Sequence, residues 1–178
     1  MKHKPSFTNR PKHILQDNCF YFITVRTIEG QWFLQAPKYK QILFKVIKTK
    51  TSKFGCKLVA YTILNNHYHL LLEVSDAKIL PKFIKELNGT SSHDINTADN
   101  AIGRKIWWNY YSHIISDESD FFKHLNYIHQ NPIKHQVSKS LVYEFSSYSA
   151  WLKKKGKEYL DDVFVKYPIV DFKSFEEL

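Results

Sequence analysis

Apolar positions along the chain repeat with two periods, and each period predicts one type of element. A period of two residues, typical of half-buried strands, occurs at residues 19–27, 57–64, 67–74 and, with less certain bounds, 105–116. A period near 3.6 predicts helices from Pro37 to Gly55, around 79–87, and over 119–131, where Ser and Asp residues offer N-caps. The chain is therefore a mixture of strands and helices.

The predicted order is β-α-β-β-α-β followed by a helix. This is the split βαβ pattern of ferredoxin-like and RRM-like domains, an α+β class with an antiparallel sheet and helices on one face. We expect the other face to stay open for a ligand. Asn65 and Asn66 are predicted to form a two-residue hairpin with left-handed backbone angles, which asparagine tolerates. The polar segment 88–103 is predicted to be a loop.

The charge of the chain is concentrated at one end. Residues 1–72 hold twelve Lys/Arg and two acids, a net charge of +10, whereas the remainder holds fourteen and fifteen, a net charge of −1. A basic surface on a small domain favours a polyanionic partner, most often nucleic acid. A solvated, lysine-rich helix would produce the same count, and charge alone leaves both interpretations open.

The length of 178 residues fits one domain with a core of its own. We expect a basic N-terminal arm over 1–18, the folded domain over 19–136, and a C-terminal extension over 137–178 packed on that domain. No apolar run approaches about 18 residues and no signal peptide opens the chain, so a soluble, cytoplasmic protein is expected. Cys19 and Cys56 form no CxxC pair, which argues against a zinc knuckle or a disulfide framework.

Two histidines, His67 and His69, interrupt the apolar run of the third predicted strand. Side chains alternate across a strand, so both imidazoles share one face, which we expect to be the open one. A His-x-His pair can chelate one cation, but two ligands do not make a site. By themselves the residues fit a metal pair or two incidental surface histidines.

The helix at 119–131 supplies a third candidate ligand. Tyr127 and Asn131 are four residues apart and therefore project from the same helix face. An amide oxygen one turn from a tyrosine could complete a His-His-Asn metal site and hold the phenol beside the metal. The alternative is a tyrosine at the edge of an amphipathic helix and an asparagine near its end, before Pro132.

Four segments together carry a resemblance to a known family. "NNHYHLLLEV" resembles the His-hydrophobic-His motif of HUH-type single-tyrosine transposases, also called IS200-like. "YIHQNPIKHQV" resembles the Tyr-x-x-x-Asn-Pro segment of REP-associated tyrosine transposases, a branch of that superfamily. "YEFSSYSAW" is similar to their Tyr-x-x-Ser-Ser-Tyr signature, and "KIWWNYYSHIISDESDF" to the block before the catalytic helix. The resemblance covers about residues 19–151.

The resemblance implies metal-dependent cleavage and rejoining of single-stranded DNA at repeated palindromic hairpins. Tyr127 would be the nucleophile and form a 5′-phosphotyrosine. His67, His69 and Asn131 would bind Mg²⁺ or Mn²⁺, and the catalytic helix would lie on or beside the second face of the sheet. His124 is the nearest candidate for a base, although a solvated helix histidine is the favoured interpretation.

Basic and aromatic residues are the candidates for contacts with DNA. Candidate phosphate ligands are Arg10, Lys12, Arg26 and Lys134. Trp107 and Trp108 could stack on bases, but packing in the core is the favoured interpretation for both. We expect a monomer or homodimer and no membrane partner.

The alternative function is an RRM-like nucleic-acid-binding module without catalysis. It has the same order of elements. However, the third strand carries the two histidines where an RNA-binding RRM would have a Gly-Phe-aromatic segment.

Overall fold

The computed structural model describes residues 14–169. Four strands form one antiparallel sheet in the order β2-β3-β1-β4. The strands are β1 (Cys19–Thr27), β2 (Lys57–Ile63), β3 (His67–Val74) and β4 (Trp107–Ile114). The helices are α1 (Pro37–Lys53), α2 (Leu80–Ala98), α3 (Glu118–Lys134), α4 (Tyr148–Lys155) and α5 (Lys157–Lys166). The predicted α+β, ferredoxin-like class is confirmed.

The two faces of the sheet pack against different helices. Alternate residues of β1 and β3, among them Ile23 and Leu70, form the larger core with α1 and α2. On the opposite face, Phe22 and Leu71 pack against α3 through Leu125 and other residues. The period of two along each strand therefore serves two separate cores.

The face that carries the histidines is not open, contrary to the simplest expectation from the element order. Helix α3 lies on it, and the exposed fractions of His67 and His69 are 4% and 0%. The apolar side chains along one side of α3 are removed from water by packing against this face of the sheet. A helix on this second face is the arrangement that the resemblance implied.

The prediction of a loop over 88–103 was wrong for most of its length, because α2 continues to Ala98. Its polar residues are accommodated within the helix: Ser91 Oγ donates to the Leu87 carbonyl and Thr97 Oγ1 to the His93 carbonyl. Ile95 is fully buried in the main core. Packing of one face against the domain therefore overrides the weak helix propensity of the segment.

The hairpin between β2 and β3 forms as predicted, but for a different reason. Leu64 and His67 close it through a backbone hydrogen bond, yet neither turn asparagine has a positive φ. The asparagines act through their side chains instead. Asn65 Oδ1 accepts from the buried Lys40 ammonium at 2.9 Å, and Asn66 Nδ2 donates to the Gly30 carbonyl at 3.1 Å. The turn is thus anchored to α1 and to the short helical turn Ile28–Gly30 that follows β1.

The segment after α3 runs along the outer edge of β2. Its backbone and side chains satisfy groups on that edge: the Phe145 carbonyl accepts from the Ile63 N–H, and Ser147 bonds both the N–H and the carbonyl of Tyr61. Farther along, Trp151 Nε1 donates to the Val59 carbonyl. The boundaries predicted for arm, domain and extension stay a prediction. Within residues 14–169, no helix is both long and apolar enough to cross a membrane.

Candidate active site

His67 and His69 lie side by side on β3, beneath α3. Their ring centroids are 5.0 Å apart and the planes are nearly perpendicular. His69 Nδ1 lies 2.8 Å from Oγ1 of Thr24, the residue paired with it on β1. The His69 ring is therefore fixed by a residue of the neighbouring strand.

The hydrogen bond of His67 determines which ring nitrogen carries the proton. Its Nδ1 lies 2.7 Å from Asn66 Oδ1. The orientation of that amide is set by its own donation to Gly30, so Oδ1 can only accept. His67 Nδ1 must then hold the proton, which leaves the lone pair of the neutral ring on Nε2, the atom that would face a ligand.

Tyr127 reaches the histidines from the helix side. Its ring stands edge-on to His69, with centroids 5.2 Å apart, and lies 5.9 Å from the ring of Phe22. The residue is only 1% exposed. It borders a cavity of about 510 Å³. The cavity is lined by Tyr127, Gln130, Asn131, Ile133, Lys134, Leu141 and Ile169.

Asn131 lies between two ring contacts that join α3, and the residue just after it, to β3. One turn before it, Tyr127 meets His69; one turn after it, the ring of His135 meets that of His67 at 4.8 Å. Positions 127, 131 and 135 follow one face of the helix, so Asn131 faces the histidine pair. Sequence reasoning missed His135, although its spacing of four from Asn131 was the available signal.

These side chains fit a divalent cation. Both amide atoms of Asn131 are buried and make no hydrogen bond within the described residues, and the Nε2 atoms of His67 and His69 are likewise buried. A buried amide normally finds a partner, because leaving it unsatisfied costs about 1–3 kcal/mol. Two imidazole nitrogens and an amide oxygen are a donor set that Mn²⁺ accepts, whereas Mg²⁺ prefers oxygen ligands.

Two of the four candidate phosphate ligands lie near this site. Arg26 is opposite His67 in the β1–β3 register, and directly opposed residues share a face. Lys134 lines the cavity and its Nζ is 5.3 Å from the centroid of the Tyr127 ring. Arg10 and Lys12 lie outside the described residues.

Trp107 and Trp108 of β4 point to opposite faces of the sheet, as successive residues of a strand do. Trp107 is buried, and its Nε1 donates to Ser91 Oγ, so core packing is correct for this residue. Core packing is wrong for Trp108, which is 55% exposed and lies under the Lys105 ammonium. Successive side chains point to opposite faces of the sheet, and Trp107 is the one that faces the core formed with α1 and α2.

His124 is not the solvated helix residue that the sequence favoured. It is 3% exposed, and its Nδ1 lies 2.9 Å from Asp120 Oδ1. Burial lowers the pKa of His124. Its ring packs against Phe22, whose other neighbours include His69 and Tyr127. The assignment of His124 as a base stays a prediction.

Burial alone would raise the pKa of the Asp120 carboxyl. The Ser116 N–H and the His113 ring, which both bond this carboxylate, outweigh burial and lower the pKa. Asp120 is therefore a charged acceptor between two histidines.

Solved structures with a similar fold include a REP-associated tyrosine transposase bound to a REP hairpin. It is 19% identical, with a TM-score of 0.72 over 84% of this chain and 88% of that one. A tRNA(His) guanylyltransferase from Saccharomyces cerevisiae is 11% identical, with a TM-score of 0.50 over 86% of each chain. At these identities the likeness concerns the fold. A search of curated proteins found no match.

The sequence itself matches a family model, described as "Transposase IS200 like", over residues 16–131. The match covers more than half of the chain. It includes both histidines of β3 and the α3 segment through Asn131. The chain belongs to the IS200-like family of transposases and is an enzyme of that family.

Proposed function

We propose that this transposase cleaves and rejoins single-stranded DNA beside a hairpin through a covalent bond to Tyr127. The observation that carries the proposal is the meeting of two distant segments: the His-x-His pair of β3 and the Tyr-x-x-x-Asn face of α3, with His69 and Tyr127 5.2 Å apart. This meeting supports the proposal, because a ligand pair and a nucleophile need to be held by rigid elements on both sides of one site.

The reaction is a transesterification. The Tyr127 hydroxyl attacks the scissile phosphorus, the new O–P bond forms as the bond to the 3′ oxygen breaks, and a free 3′-hydroxyl leaves. The phenol proton is released and one proton is taken up by the leaving oxygen. Because the phosphodiester energy is kept in the 5′-phosphotyrosine, a second 3′-hydroxyl can reverse the step without ATP.

His67, His69 and Asn131 would hold a divalent cation, Mg²⁺ or Mn²⁺. When bound, such an ion supplies positive charge to the phosphate and to the developing oxyanions. The chain contributes the fixed orientation: Asn66 and Thr24 hold the two imidazoles, and α3 carries the amide. With only one oxygen among three protein ligands, we expect modest Mg²⁺ affinity and better activation by Mn²⁺.

The substrate is proposed to be a hairpin with a single-stranded flank. Tyr127 is buried on the side of α3 that packs on the sheet, next to a cavity, so a flexible strand fits the approach better than a rigid duplex. Extracting a strand from a duplex would cost about 1.4 kcal/mol per base-pair step. The solved transposase with this fold is bound to a REP hairpin, which supports a hairpin as the partner here. Arg26 and Lys134 are the proposed phosphate contacts.

The decisive experiment is a denaturing-gel assay for covalent adducts with four labelled substrates. They are a hairpin with a single-stranded flank, an unstructured single strand, a full duplex and the RNA form of the hairpin. We expect an adduct with the flanked hairpin, little with the unstructured strand, and none with the others. Tyr127→Phe should abolish it and leave binding nearly intact, whereas Tyr159→Phe on α5 should behave as wild type. Equal cutting of duplex would refute the mechanism.

Metal dependence is tested in the same assay. His67→Ala, His69→Ala or EDTA should each abolish the adduct. Asn131→Ala should only reduce adduct formation, and high Mn²⁺ should partly restore it. Full activity of the double histidine variant in EDTA would contradict a role for metal.

An RRM-like binding module is the other candidate. That mode stacks bases on an exposed sheet face, whereas here α3 covers the face that carries His67 and His69. Binding of all single strands without any adduct would favour this alternative.

A further inference from the structure

A second cluster of ligand-type side chains lies at the start of α3, outside the site described above. It consists of His113 on β4, and Asp120 and His124 on consecutive turns of α3. One ligand atom from each residue lies within 4.8 Å of the other two. Within the described residues this is the one group of three or more His, Cys, Asp or Glu side chains that meets this distance.

The Asp120 carboxylate is held between the two imidazoles. His113 Nε2 is 2.9 Å from Oδ2, and His124 Nδ1 is 2.9 Å from Oδ1. His124 Nδ1 is also 2.9 Å from the backbone carbonyl oxygen of Asp120. The Ser116 N–H also donates to Oδ2 at 2.9 Å, which helps to fix the orientation of the carboxylate. Ligands about 2 Å from a tetrahedral zinc ion are roughly 3.4 Å apart. Small side-chain rotations would therefore open the cluster to an ion.

The three side chains of the cluster are exposed to different extents. The exposed fractions of the side chains are 3% for His124, 16% for Asp120 and 36% for His113. The protein thus closes the inner side, while the side of His113 stays open for entry of an ion and for a water ligand. Two histidines, one carboxylate and an open position form a donor set suited to Zn²⁺ and similar transition metals.

We propose that His113, Asp120 and His124 form a second metal site, which binds a transition-metal dication such as Zn²⁺ and fastens the start of α3 to β4. The ring of Phe22 separates it from the active site, with His124 at 4.6 Å on one side and His69 at 5.3 Å on the other. Binding needs His124 Nδ1 to leave the Asp120 backbone carbonyl, and each imidazole to carry its proton on the ring nitrogen away from the ion. The bound ion would hold the helix that carries Tyr127 without contacting DNA.

The test measures Zn²⁺ and Co²⁺ binding without DNA, by competition with a chromophoric chelator. The starting protein is the His67→Ala/His69→Ala variant, so that the active-site histidines cannot contribute. We expect this protein to bind Zn²⁺, and the further change His113→Ala or Asp120→Asn to weaken binding at least tenfold. Adding His93→Ala instead should change nothing, because His93 and Asp94 form an exposed surface pair.

A thermal measurement checks the same variants. Zn²⁺ at a hundred times its dissociation constant should raise the melting temperature by about 5–10 °C, with no shift after His113→Ala. Asp120→Asn keeps the shape of the side chain, so it serves if His113→Ala folds poorly. Zn²⁺ affinity unchanged by both substitutions would overturn the proposal and leave an ordinary hydrogen-bonded cluster. That failure would not affect the role of Tyr127, which the adduct assay tests separately.

Discussion

At the scale of single residues, the histidines of this chain differ because of what surrounds each ring. His67 and His69 have their Nδ1 atoms engaged by neighbouring polar groups. His129, two residues after Tyr127, is also fully buried, but its Nε2 lies 3.1 Å from Ser147 Oγ. That hydroxyl gives its one proton to the Tyr61 carbonyl, so His129 must donate to it. The ring is a neutral structural group.

His129 should make stability depend on pH. Burial lowers its pKa to about 3, whereas in the unfolded chain it is near 6.5. Below pH 6.5 His129 is protonated in the unfolded state but stays neutral in the folded state, so the free energy of unfolding falls as the pH falls toward 3. Between pH 7.5 and pH 5 this amounts to about 2 kcal/mol.

The variant His129→Gln isolates this contribution. Urea unfolding at pH 7.5, 6 and 5 should show a smaller loss of stability for the variant than for wild type, since all other titrating groups are shared. Parallel curves for the two proteins would show that the burial of His129 has no such effect.

At the scale of elements, the Tyr-x-x-Ser-Ser-Tyr segment has a structural task. An outer strand such as β2 presents unpaired backbone groups that invite association with other chains. Residues from Tyr143 to Trp151 cover that edge, with hydrogen bonds from Tyr143 Oη to the Ile63 carbonyl at one end and from Trp151 to Val59 at the other. Ser147, in the middle, also binds His129 of α3. The segment therefore ties the helix of Tyr127 to the edge of the sheet.

Replacing Ser147 should test this tie. Ser147→Ala removes the partner of the buried His129 ring and two bonds to the Tyr61 backbone, so we expect the free energy of unfolding to fall by about 1–3 kcal/mol. Ser140→Ala is the matched control, because Ser140 is exposed and its described hydrogen bonds join it only to residues 138 and 142. Its effect should stay within about 0.5 kcal/mol. Equal effects in chemical denaturation would contradict the assigned role.

At the scale of the whole molecule, some of the lysines behind the positive net charge bond other groups of the protein itself. Helix α1 carries six lysines. Three of them bond side chains outside the helix: Lys40 with Asn65, and Lys50 and Lys53 with Glu86. The interpretation of a solvated, lysine-rich helix is therefore partly right for α1. The cations proposed for DNA lie elsewhere, on β1, at the end of α3 and in the N-terminal arm.

The salt dependence of binding should separate these groups. Each lost phosphate contact on a single strand lowers the log–log slope by about 0.7. Lys134→Gln should lower the slope by that amount, and removal of residues 1–16, with four Lys/Arg, by up to about 2.8. Lys57→Gln is the control, because Lys57 is paired with Glu73 at the end of β3 away from His67. A slope unchanged by truncation would mean that the arm points away from DNA.

Local patterns in the chain determined the elements and the side chains they carry. The period of two placed His67 and His69 on one face of β3, and the spacing of four placed Tyr127 and Asn131 on one face of α3. These periods are properties of the strand and helix backbones. Where local signals were weak, as in the polar second half of α2, the prediction failed. Propensity there is a small term beside the burial of residues such as Ile95.

Only the tertiary structure decided which of these faces meet. That α3 closes over β3, that His135 lies against His67, and that His113 joins Asp120 and His124 depend on contacts between residues far apart in the chain or brought together across elements. No local period encodes them. They follow from the burial of the apolar stripe of α3 on the second face of the sheet, where Phe22, Leu71 and Leu125 pack, since removing that surface from water is the dominant favourable term.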